Sequence, residues 1–168
     1  MSHSRIFKLN CNLESEYKRI SQYDFEDNWF IDGYHDYVDG DTDEHDDYQW
    51  LIKSMSTIFK NFRKDGEDYL VDVNLADAKK YLLDRLNSAE EKLAAYKEWV
   101  KNSDDKNRRC VSRFSLLDDL RGDQGGFYFY LDDTYYTDVE FVIEMVEYYL
   151  RDKEIITFRL EGTLDYHS

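Results

Sequence analysis

Eleven Asp or Glu residues and no Lys or Arg lie between Tyr23 and Tyr48, and seven aromatic residues are threaded among them: Tyr23, Phe25, Trp29, Phe30, Tyr34, Tyr37 and Tyr48. No other stretch restricts the fold so much. Uncompensated carboxylates need a solvated surface, whereas large apolar rings need an interior, and a disordered acidic tail has none to offer them. The segment is expected to be an ordered surface, strongly negative and aromatic at once. Such a surface calls for a basic partner.

The chain's 168 residues fit one α+β domain spanning 1–168, long enough to bury a core without disulfides or metals. Its 37 acids against 22 Lys plus Arg give a formal charge of −15. Affinity for nucleic-acid backbones and anionic membranes comes from cations, so direct binding to DNA, RNA or membrane is not expected. Cys11 and Cys110 match no metal or redox spacing and read as two reduced, partly buried thiols. The N-terminal residues contain no apolar stretch of signal-peptide length, and no apolar run approaches a membrane span. These features predict a soluble protein of a reducing cytoplasm, the host's if a phage encodes the chain.

Phe7, Leu9, Cys11 and Leu13 alternate with polar residues and predict a half-buried strand. Residues 14–24 fit a short helical turn. A second strand is predicted over Asn28–Val38, bulged at Gly33, with Gly40 breaking the chain before N-caps at Asp41, Thr42 and Asp43. The following helix reads to about Phe62 through Leu51, Met55 and Ile58. Asp65-Gly66 turns into a strand over Asp68–Val73, and Asn74 caps a long helix over 75–102. Along that helix Leu82, Leu86, Ala89, Leu93, Tyr96 and Val100 recur in steps of four and three, a narrow seam suited to a sheet, a neighbouring helix or a partner chain.

A loop over Ser103–Asn107, a short helix over Arg108–Arg121 and a strand over Phe127–Leu131 come next. Thr137 and Glu140 form a capping-box pattern, and the last strand runs from Ile155 to about Leu164 with a bend at Gly162. The expected architecture is α+β, a mainly antiparallel mixed sheet of about five strands with three to four helices on one face.

Catalytic templates fail. The chain has no Gly-x-Ser-x-Gly, no phosphate loop and no His-Glu-x-x-His, and Gly125-Gly126 is too short to cradle phosphate. Alternate carboxylates around Asp39-Gly40-Asp41-Thr42-Asp43, with His35 and His45 nearby, offer oxygen and imidazole ligands. Counted from Asp39, however, a calcium loop needs Gly where Glu44 stands and Glu where Trp50 stands. Adjacent pairs such as Asp118-Asp119 and Asp132-Asp133 diverge instead of converging. Neither enzyme activity, cofactor nor metal is expected. A small metal-dependent enzyme using the Asp36–Asp47 cluster is the remaining catalytic alternative.

A second acidic block, Asp132, Asp133, Asp138, Glu140, Glu144 and Glu147, spans 132–150 without a base. Basic residues gather elsewhere, at Lys53, Lys60, Arg63 and Lys64 and at Lys106, Arg108, Arg109 and Arg113. The partner-binding residues expected from this segregation are Asp32, Tyr34, Asp36, Tyr37, Asp39, Asp41, Asp43, Glu44, Asp46, Asp47 and Tyr48 from the first block. Asp132, Asp133, Asp138 and Glu140 join them from the second. Carboxylates along strands and helix starts can imitate the phosphate line of a duplex, with Tyr adding contact area. In small size, negative charge and aromatic content the chain resembles nucleic-acid mimics. The expected function is an acidic inhibitor of a basic nucleic-acid-binding protein, an anti-CRISPR or anti-restriction factor of a phage or mobile element. An immunity protein against a basic nuclease toxin shares the same surface. A homodimer is compatible with the seam of the long helix.

Overall fold

The computed structural model describes residues 3–21, 24, 37–41, 44–101 and 127–167. Seven described strands form one mixed sheet: β1 (His3–Asn10), β2 (Tyr37–Asp41), β3 (Phe59–Asp65), β4 (Asp68–Asn74), β5 (Phe127–Leu131), β6 (Thr134–Tyr136) and β7 (Ile155–His167). Their order is β3-β4-β7-β1-β5-β6, with β2 paired to β7 off this path. Among the described strands only β1 and β5 pair in parallel. The described helices are α1 (Glu44–Ser54), α2 (Leu75–Lys101) and α3 (Asp138–Glu144), the last continuing as a π-helical turn over Met145–Tyr149. The α+β class holds, with seven strands among the described residues where about five were expected.

Alternation along the strands sorts the two sheet faces. Phe7 and Leu9 of β1, Phe127, Phe129 and Leu131 of β5, and Ile156, Phe158 and Leu160 of β7 share one core with Tyr48 and Leu51 of α1 and Phe141 and Val142 of α3. All three helices therefore pack on one face. Aromatic rings dominate its centre, where Phe129 and Phe141 lie 4.4 Å apart. The opposite face holds a smaller cluster, Ile6, Tyr130, Leu164 and Ile20. Ile20 comes from residues 11–21, which form a strap across that face. Of the helical turn expected over 14–24, Asp24 lies in a 3₁₀ turn, its N–H donating to Ser21 O at 3.1 Å.

Strand β7 organises the sheet. Its first half pairs with β4 up to Leu160, and its second half pairs with β2 from Leu164. Between them the register against β1 slips, Phe7 facing Thr163 while Leu9 faces Leu160. This bulge at Glu161-Gly162 reverses the alternation, so Leu160 faces the helices but Leu164 faces away. Gly162 has φ +98, and a Cβ there would lie 2.8 Å from Arg19 Cγ of the strap. Glycine is required on both counts.

Several expected boundaries move. β1 ends at Asn10, and Leu13 is exposed on the strap. Gly40 lies inside β2, at a register slip between Asp39 and Asp41, so it bulges the strand instead of breaking it. The helix expected to reach Phe62 ends at Ser54, and Phe59–Asp65 forms the edge strand β3, irregular at Asn61 with φ 50. Asn74 caps α2 as expected, its Oδ1 accepting from Asp77 N–H at 2.8 Å. The expected strand over residues 28–36, the N-caps at 42 and 43, the loop over 103–107 and the helix over 108–121 lie outside the described residues.

Candidate binding surface

The first acidic block meets the sheet through β2. Tyr37 stands opposite His167, Asp39 opposite Asp165 and Asp41 opposite Leu164. The chain then enters α1, whose first turn carries Glu44, Asp46 and Asp47, where carboxylates complement the positive end of the helix dipole. Two arginines reach into this corner. Arg5 of β1 donates from Nε to Asp47 Oδ1 at 3.0 Å and places Nη1 2.5 Å from Asp165 Oδ1. Partial burial opposes its charge, but Asp47 and Asp165 outweigh that and hold the guanidinium above its ordinary range. Arg19 of the strap pairs with Glu44 at 2.5 Å. Six carboxylate positions (Asp39, Asp41, Glu44, Asp46, Asp47 and Asp165) thus share one strand–helix corner.

Two residues of that corner serve the fold. Thr163 Oγ1 donates to Asp47 Oδ2 at 2.8 Å, so both oxygens of Asp47 are engaged by the sheet. Tyr48 has no exposed surface, and its hydroxyl accepts from Gly162 N–H at 2.8 Å. Its expected contact role is corrected: it sits where β4 gives way to β2, and it supplies an acceptor that neither strand provides. Glu44 is half-buried and Asp46 exposed. Asp32, Tyr34, Asp36 and Asp43 lie outside the described residues.

The second block is assembled differently. Asp132 and Asp133 form the two-residue turn between β5 and β6, both at positive φ, 49 and 59, as a hairpin turn of this length requires. Their carboxylates accept from Tyr149 and Tyr130, the latter at 2.8 Å. Asp138 is buried and accepts from Tyr81, with Arg85 Nη2 at 3.4 Å. Glu140 completes the capping box, its Oε2 accepting from Thr137 N–H at 2.9 Å while Thr137 Oγ1 accepts from Glu140 N–H at 3.3 Å.

All four expected contact residues of this block therefore organise α3 and its hairpin. The turn lies between three and four strand spacings from β2, about 14–19 Å across the sheet, and at the opposite end of β1. The described residues do not merge the two blocks into one patch.

A polar network under the strap was not foreseen. Glu161 is 0% exposed and Arg159 3%. Arg159 Nη2 lies 2.5 Å from Glu161 Oε1, Asn10 Nδ2 donates to the same oxygen at 2.9 Å, and Lys8 Nζ lies 3.1 Å from Oε2. The guanidinium also donates to the carbonyls of Leu13, Ser15 and Glu16 at 3.3, 3.0 and 3.3 Å, and Lys8 donates to that of Lys18. Ile20 N–H donates to Glu161 O at 2.8 Å. The network clips the strap onto the sheet. Its signal in the sequence was the polar positions Lys8, Asn10, Arg159 and Glu161 alternating with the core of β1 and β7.

Among the described residues no three His, Cys, Asp or Glu side chains are grouped to hold a metal ion, and no helix is long and apolar enough to cross a membrane. These features define an α+β protein with an acidic strand–helix corner. No family model, curated protein or solved structure matches the chain.

Proposed function

We propose that this chain is a non-catalytic acidic inhibitor that places its β2–α1 corner in the nucleic-acid groove of a basic protein such as a nuclease. The observation carrying this reading is that Asp39, Asp41, Glu44, Asp46 and Asp47 follow one another along a strand and a helix start anchored to the sheet by Arg5, Thr163 and Arg19. Anchoring matters because a preordered anionic surface loses less conformational freedom on docking than a flexible acidic tail. The Gly40 bulge sets Asp39 opposite Asp165 and Asp41 opposite Leu164, so the corner offers carboxylate positions on both faces of β2 beside the acidic first turn of α1. The formal charge of −15 steers it toward cationic grooves. In this reading the contact is confined to the corner, while Asp132, Asp133, Asp138 and Glu140 of the second block serve α3 and its hairpin.

The test is capture of a basic partner at low salt on immobilised protein, wild type beside a variant carrying Asp39→Lys, Asp41→Lys and Asp46→Lys, with Glu44 kept for its pair with Arg19. Asp47 and Tyr48 stay unchanged because they hold the fold. The variant is expected to fold and to lose capture. Duplex DNA should displace the partner from the wild type, and binding should weaken steeply between about 50 and 200 mM salt. A partner that ignores both duplex DNA and salt overturns the mimic reading.

A further inference from the structure

Helix α2 outruns the strand that feeds it. Its 27 residues extend about 40 Å, whereas the seven residues of β4, which feeds it, extend about 23 Å. Ala78, Tyr81 and Leu82 near its start pack into the core. Farther on Leu83, Leu86 and Leu93 are 58%, 64% and 40% exposed. Leu82, Leu86, Ala89 and Leu93 keep the four–three spacing of a coiled-coil seam, which the sequence extends to Tyr96 and Val100. Isolated helices of such length are marginal in water, and an apolar stripe on one face is stabilised by a second surface.

Charge indicates which surface. Residues 86–101 contain Glu90, Glu91 and Glu98 against Lys92, Lys97 and Lys101, three acids and three bases, so this segment is neutral in a chain of −15. A basic partner gains nothing electrostatic here, whereas two copies of this chain can meet here without repulsion. We infer that the distal half of α2 pairs with the same segment of a second copy as an antiparallel two-helix coiled coil. The opposed direction follows from where the charge sits. The described residues outside this segment carry a formal charge of −10 and pack about the N-terminal half of α2, so parallel pairing would press two anionic bodies together and antiparallel pairing sets them at opposite ends. Glu90 and Lys97 lie one heptad apart on the same flank of the seam, and reversal brings Glu90 of one copy toward Lys97 of the other. The seam from Leu86 to Val100 is about 21 Å long, a small interface that gives a weak, concentration-dependent dimer.

Sedimentation equilibrium of the full chain in high salt, from about 1 to 100 µM, a range suited to so small an interface, reads the outcome. High salt screens the acidic corner and leaves apolar pairing intact, so the result stands apart from any partner capture. The average mass is expected to rise from monomer toward twice that value. Leu86→Glu with Leu93→Glu should raise the dissociation constant at least tenfold while circular dichroism stays unchanged, because both side chains are exposed. At low salt Glu90→Lys and Lys97→Glu should each weaken the dimer, and their combination should restore it. A monomer throughout, a dimer indifferent to both leucine substitutions, or a combined swap no better than either single change overturns the inference.

Discussion

Tyr48 and Asp46, two residues apart on α1, separate what holds the molecule from what it can present. Asp46 faces solvent, whereas the Tyr48 hydroxyl reaches Gly162 at the point where β7 changes partners from β4 to β2. Sheet ladders satisfy their own N–H groups, and a change of partner leaves a gap that a side chain must fill. Tyr48→Phe keeps the ring against Tyr69, 5.2 Å away, and removes only the acceptor. Loss of one buried partner is expected to destabilise the fold by about 1–3 kcal/mol, read as a lower urea midpoint with an unchanged slope. Partner capture by the folded variant should be unchanged. A wild-type midpoint would mean that Gly162 N–H needs no acceptor there.

At the scale of elements, α3 shows how the second acidic block is used. Its N-terminus is closed by the capping box, and Asp138 ties it laterally to Tyr81 and Arg85 of α2. Asp138→Ala removes a buried carboxylate that two donors converge on, and is expected to cost about 2 kcal/mol or more in urea unfolding. Asp133→Ala, on an exposed turn, should cost less.

Elements with strong local signals were legible in the sequence: the alternation of β5 and β7, the Asn74 and Thr137 caps, the turn at Asp65-Gly66 and the periodicity of α2. β3 was not, because Phe59 and Phe62 continue the helical spacing of Leu51, Met55 and Ile58, and only pairing with β4 decides for a strand. Three-residue β6 is too short to announce itself, and its Asp-Asp turn lacks the usual glycine. At the candidate site, composition marked the acidic corner. It could not separate Asp46 from Asp47 and Tyr48, because the difference lies in long-range contacts with β1 and β7.

Across the whole molecule, negative charge and buried phenols make high pH its point of weakness. Burial is the first cause that raises the ionisation of Tyr48, Tyr81, Tyr130, Tyr135 and Tyr149 above the ordinary tyrosine range. Hydrogen bonds to Asp138, Asp133 and Asp132 add to it for Tyr81, Tyr130 and Tyr149, since a phenol that donates to a carboxylate resists losing its proton. The unfolded chain releases these protons near pH 10, whereas the folded one retains them. Their contribution is therefore complete below about pH 10 and is lost as pH rises toward the folded values. Each proton released also adds to a formal charge that already stands at −15, so self-repulsion acts in the same direction. Alkaline titration is expected to show the tyrosinate absorbance of these five phenols rising in one cooperative step, together with loss of the helical signal. Added salt should move that step to higher pH by screening the repulsion. A gradual rise in absorbance while the helical signal persists would mean that these five phenols ionise within the native fold.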